Sequence, residues 1–156
     1  MLKVHLTNAQ NRLPVGKRWV TRLARLAAPP AWENAELSVA VVDGARMSEL
    51  NRRYTGRRSD ADVLAFPLDD VSDSLVGEVI VSASRAVEEA AARGIPPRDE
   101  LALYVVHGVL HLGGYDDCDP ATRRRMYARE RETLRAAGLG DIRRSARVRR
   151  AGQGYS

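Results

Sequence analysis

Leu2 to Leu6 (LKVHL) alternates apolar and polar side chains, the period of a half-buried strand. From Val15 the period changes: Val15, Trp19, Leu23 and Leu26 fall at helical spacing, and Pro29 and Pro30 stop that helix. Glu36 to Val42 (ELSVAVV) returns to strand and ends at Asp43 and Gly44; ARMSELNRRY then predicts a second helix. TGRRSDA is a polar loop, and Asp62 to Leu68 (DVLAFPL) is a short strand whose Pro67 marks an edge or an end. An acidic loop, DDVSDS, leads into a further strand, LVGEVIVS. Ser82 can cap the helix ASRAVEEAAARG, which Gly94 closes. Pro96 and Pro97 open DELALYVVHGVLHL, which Gly113 and Gly114 end. Asp119 and Pro120 start a last helix, ATRRRMYARERETLRAAG, with Gly138 as its stop. The order β-α-β-α-β-β-α-α-α predicts an α+β fold: a small mixed four-stranded sheet with about five helices packed on it. One domain is expected over residues 1–140, with no internal repeat, followed by a separate segment, 141–156.

Composition adds little to that picture, and charge adds more. Hydrophobic residues make up 44% of 156, an ordinary globular share. No apolar run approaches the ~20 residues that span a bilayer, so no membrane partner is expected, and the opening residues lack a signal peptide's apolar stretch. A single cysteine, Cys118, excludes an internal disulfide and fits a reducing cytoplasm. The formal net charge is +5, and Arg143, Arg144, Arg147, Arg149 and Arg150 account for all of it. The segment after residue 140 therefore reads as a basic, flexible tail, able to grip phosphates or simply to stay solvated. Aromatic residues are 5% of the chain, so base-stacking surfaces would be few.

The candidate chemistry sits in HGVLHLGGYDD, residues 107–117. His107 and His111, two of only three histidines, lie one helical turn apart and project from one face. Leu103, Val105, Val106, Val109, Leu110 and Leu112 surround them, so the helix is buried and a metal bond there gains from a low dielectric. Gly113 and Gly114 let the chain turn sharply and present a third ligand from Asp116, Asp117 or Cys118. Three protein ligands and one open position are the pattern of a catalytic zinc site, on a zincin-like helix. In zinc proteases a glutamate follows the first histidine as general base; here that position is Gly108, which argues against proteolysis.

HGVLHLGGYDD resembles the signature H-G-x-L-H-L-x-G-Y-D-H of the YbeY family, the bacterial endoribonucleases of ribosomal RNA maturation. LNRRYTGRRSDADVLAFP, residues 50–67, resembles the family's L-N-x-x-Y-R-G-K-D-x-P-T-D-V-L-S-F-P, and VGEVIVS resembles its L-G-D-I-x-I-S strand. The resemblance covers roughly residues 2–140 and leaves the basic tail aside. It implies a metal-dependent endoribonuclease selective for single-stranded RNA, working in ribosomal RNA processing and ribosome quality control with the small ribosomal subunit, or a weakly or non-catalytic RNA-binding ribosome-assembly factor that keeps the fold. It also implies one Zn²⁺ per chain on three histidines, which fall on His107, His111 and Asp117, the catalytic set of this chain. A carboxylate oxygen binds Zn²⁺ at a length similar to an imidazole nitrogen. Its added charge weakens the Lewis acid and moves preference toward harder divalent ions. Asp116 is a candidate to orient an imidazole from behind the ligands, or to close an Asx-turn. The family's functional arginine falls on Thr55, which cannot make its bidentate phosphate contact; Arg53, Arg57 and Arg58 flank the gap as candidate RNA contacts. No general base and no oligomeric state follow from the sequence, and attack by the RNA 2′-OH or by water both stay open.

Overall fold

The structure, a computed structural model, describes residues 1–56, 62–68 and 74–140. The expectations placed on Arg57, Arg58 and the tail 141–156 lie outside the described residues. The elements run β1 (Lys3–Ala9), α1 (Lys17–Ala27), a 3₁₀ turn (Pro30–Trp32), β2 (Glu36–Val42) and α2 (Gly44–Thr55). They continue with β3 (Val63–Pro67), β4 (Leu75–Ser82), α3 (Ala83–Arg93), α4 (Pro97–Leu112) and α5 (Pro120–Ala136). The expected α+β fold is what forms: among the described residues there is one mixed sheet in the order β1-β2-β4-β3, parallel except for β3, with five α-helices.

β1 runs beyond its alternating stretch because its backbone keeps pairing with β2, from Lys3 opposite Glu36 to Ala9 opposite Val42. Local chemistry sets the helix ends. Asp43 caps α2 by accepting from Arg46 N at 2.8 Å, and Ser82 caps α3 by accepting from Arg85 N at 3.1 Å. β3 is the outer strand, in keeping with Pro67.

The sheet is covered on both faces. Leu37, Val39 and Val41 of β2, with Val63, Val79 and Val81, share one apolar cluster with α1 and α4. Val42, Leu64 and Ile80 face the other way, onto Met47 and Leu50 of α2. Helix α4 is buried without a break from Glu100 to Leu110, as expected of a helix apolar on every side. It can lie this close to the sheet because of Gly108, whose missing Cβ would come 2.5 Å from Val79 Cγ1 and 3.0 Å from Val63 Cγ1. The position that zinc proteases use for a glutamate is thus occupied by the sheet itself. Among the described residues no helix is long and apolar enough to cross a membrane.

The mixed charges of RRRMYARERE read mainly as a solvated helix face, and Arg124, Arg125, Arg131 and Glu132 are exposed accordingly; the opposite face of the same helix is not. Met126, Glu130, Thr133 and Leu134 form a buried stripe at helical spacing, because α5 lies across α4. Arg129 fixes that placement from the side by donating to Leu26 O at the end of α1, at 2.9 Å.

Candidate metal centre

His107 and His111 sit on the C-terminal half of α4, one turn apart. His107 is 1% exposed, and its Nδ1 is bonded to Oε2 of Glu130, itself 2% exposed. A carboxylate only accepts, so Nδ1 carries the proton, and Nε2 is the nitrogen through which this ring would bind a cation. Glu130 is the residue of this candidate site that the sequence reading missed. Its available signal was the i, i+4 apolar spacing of Met126, Glu130 and Leu134, which marks an inward face despite the surrounding arginines.

His111 is half-buried. Burial, and then the neighbouring His107, push its pKa down to about 4, against the pull of Asp117 and Asp116. At neutral pH it is an uncharged imidazole with a lone pair, the form that ligates metals.

The turn after α4 is built by the two glycines. Tyr115 N donates to Leu110 O at 3.0 Å and Gly114 N to His111 O at 3.1 Å, with Gly114 at φ +108°. That is a Schellman closure, and its left-handed position needs glycine. Asp119 then starts α5 in a capping box with Thr122. Between them, Asp116 Oδ1 accepts from Cys118 N at 3.2 Å, so Asp116 closes an Asx-turn. Arg123 holds the backbone of Asp117 by donating to its carbonyl at 3.3 Å. Cys118 is exposed, and Asp116 first, then desolvation and the charges of Asp117 and Asp119, push its thiol up, which disfavours the thiolate a metal would need.

Among the described residues no three His, Cys, Asp or Glu side chains stand gathered as a finished metal cluster. The donor chemistry nevertheless fits a divalent ion: a carboxylate-anchored imidazole, a neutral imidazole one turn on, and a half-buried carboxylate, Asp117, on the glycine-led turn.

Arg53 is exposed in the last turn of α2. Thr55, at the family's arginine position, turns its hydroxyl back onto Asn51 O at 2.6 Å and so serves its own helix. Asp62 is 2% exposed beside β3 and accepts from Arg85 Nε at 3.0 Å. Burial pushes its carboxyl up to about 6 despite that arginine.

Fold and side chains define a class: an α+β protein whose buried helix ends in a histidine pair, the first ring held by a carboxylate from the next helix. Residues 5–138 match the family model described as Endoribonuclease YbeY, and the chain belongs to the YbeY family. Curated relatives of that name agree with this. One from Anaeromyxobacter sp. (strain Fw109-5) is 39% identical over 79% of this chain and 65% of its own length. One from Moorella thermoacetica is 35% identical over 88% of this chain and 99% of its own. The chain thus spans just under two thirds of the first relative and nearly all of the second. A Thermotoga maritima protein solved in solution shares the fold, with a TM-score of 0.60 over 88% of this chain and 89% of its own, at 23% identity.

Proposed function

We propose that this chain is a metal-dependent endoribonuclease that cuts single-stranded RNA, with ribosomal RNA as its substrate, the small ribosomal subunit as its working partner and the cytoplasm as its compartment. The observation that carries the reading is the His107–Glu130 pair buried one turn from a neutral His111, in a chain whose relatives are named endoribonucleases. His107 through Nε2, His111, and Asp117 with its carboxylate turned toward them would hold one Zn²⁺, or a harder divalent ion given the carboxylate. When bound, the ion supplies Lewis acidity at the scissile phosphate. Glu130 keeps the His107 ring in one tautomer and orientation. Arg53 would meet the RNA backbone as an exposed cation.

The test is cleavage of end-labelled single-stranded RNA by metal-loaded protein, beside a duplex and a His111→Ala control. The wild type should cut internal bonds of the single strand and spare the duplex, and the control should lose the activity. Cyclic 2′,3′-phosphate ends would assign the attack to the RNA 2′-OH, linear ends to water. Equal, slow degradation by wild type and control would overturn the enzyme reading in favour of a non-cleaving assembly factor.

A further inference from the structure

Tyr54 is the most exposed aromatic side chain of the described residues, at 54%, in a chain with two Trp, five Tyr and one Phe. It stands in the last turn of α2, its ring centroid 4.8 Å from that of Phe66 on β3 at an interplanar angle of 52°. That contact steadies the Tyr54 ring, while more than half of the residue stays exposed. Two residues past Phe66, Leu68 is 44% exposed, and its N–H still donates to Val76 O, so the extended backbone continues and keeps both side chains on one face. Arg53, next to Tyr54 on the helix, is exposed and takes part in none of the ion pairs among the described residues. Glu49, one turn before Arg53 on α2, pairs with Arg46 at 3.1 Å, and Glu78, opposite Phe66 across the strands, is turned onto Ser38, which donates to it at 3.1 Å. A single exposed tyrosine is ordinary on a protein surface. A ring pair with an apolar extension, and one residue back along the helix a cation in none of those ion pairs, has the composition of a site that stacks a base and holds its phosphate.

Its position bears on the reaction. Phe66 O and the Leu112 side chain both close on Gly77, where an added Cβ would meet them at 2.7 and 2.9 Å. The end of β3 and the end of α4 therefore lie together, with the ring pair on the α2 face of the sheet and the histidine pair on the helix that packs the other face. Among the described residues β3 is an edge, so a polynucleotide touching both sites has to bend round it. An unpaired strand bends readily over such a short length, whereas a duplex is stiff over ~150 base pairs.

We propose that Tyr54, backed by Phe66, is a stacking platform for an unpaired RNA base, with Arg53 on the adjoining phosphate, and that this platform contributes to selection of single strands. The proposal rests on the endoribonuclease reading. Fluorescence anisotropy of the full chain, in chelator so that nothing is cut, measures binding of a labelled oligouridylate about 12 nucleotides long and of its abasic counterpart. Tyr54→Ala should weaken oligouridylate binding about tenfold, Tyr54→Trp should match the wild type, and neither should change binding of the abasic strand. Arg53→Ala should reduce the slope of log affinity against log salt by about 0.7, and Tyr54→Ala should leave it unchanged. Melting transitions at the wild-type temperature exclude misfolding of these surface variants. Wild-type affinity in Tyr54→Ala would overturn the platform while the RNA reading stands, as would an equal loss on the abasic strand. No binding of either oligonucleotide by the wild type would overturn the RNA reading and the platform with it.

Discussion

Replacing Glu130 separates the support of the metal from the stability of the fold. Its carboxylate is 2% exposed against an imidazole that is 1% exposed, so water cannot take its place. Glu130→Gln keeps an acceptor for the Nδ1 proton but loses the charge, and Glu130→Leu removes the acceptor. Loss of a carboxylate behind a metal-bound histidine costs about 10–100-fold in metal affinity, or about 1.4–2.7 kcal/mol. On the stability side, the Leu variant leaves a buried ring N–H without an acceptor, at about 1–3 kcal/mol, while the Gln variant should lose less than half of that. Competition against a chromophoric zinc indicator gives the affinity, urea unfolding of metal-free protein gives the stability, and ¹⁵N shifts of the imidazoles give the tautomer. Glu130→Gln should bind zinc about tenfold more weakly with a fold nearly as stable, and Glu130→Leu should lose both affinity and the fixed Nδ1–H form of His107. If both variants bind zinc as the wild type does, the carboxylate only fills space beneath the helix and the reasoning fails.

Asp117→His restores the family's third imidazole and should keep or tighten zinc binding in the same competition assay; clearly looser binding would contradict the assignment of Asp117. Gly108→Ala should destabilise the fold by up to about 2 kcal/mol in urea, the overpacking against Val79 outweighing alanine's ~1 kcal/mol helix advantage, with partial recovery in a Val79→Ala background. A stabilised Gly108→Ala would show that α4 does not press on the sheet there. Asp62 faces Arg85 and Glu89 from α3 and His107 from α4, and burial holds its pKa near 6, above the ordinary carboxylate range. A raised folded-state pKa means that its contribution is full below about pH 4 and lost as pH rises through about 6, up to about 3 kcal/mol. Asp62→Asn cannot ionise, so it should gain stability relative to the wild type between pH 4 and 7; parallel stability profiles across that range would refute this.

Much of the fold was legible along the chain because short-range chemistry writes it. Pro96–Pro97 and Gly113–Gly114 bracket α4, Ser82 and Asp119 start α3 and α5, and the alternation of ELSVAVV marks a strand whichever neighbour it pairs with. Such signals act within a few residues and survive translation into any tertiary setting. The spacing of His107 and His111 was equally local, since one helix holds both. Glu130 was not, because the charges around it describe solvent contact and only the angle of α5 on α4 decides which of its faces is buried.

Gly108 shows the same division. By sequence it is a position without a base; in the structure it is the point where helix and sheet touch, and the lost side chain is a packing requirement. Tyr54 and Phe66 lie in separate elements with nothing local linking them, and they become a pair only when α2 settles on the sheet edge. Local periodicity and caps therefore determined the elements and the histidine spacing. Which carboxylate backs a histidine and which ring faces another were decided by long-range packing, because those contacts depend on relative positions of helices and strands that no short stretch of chain encodes.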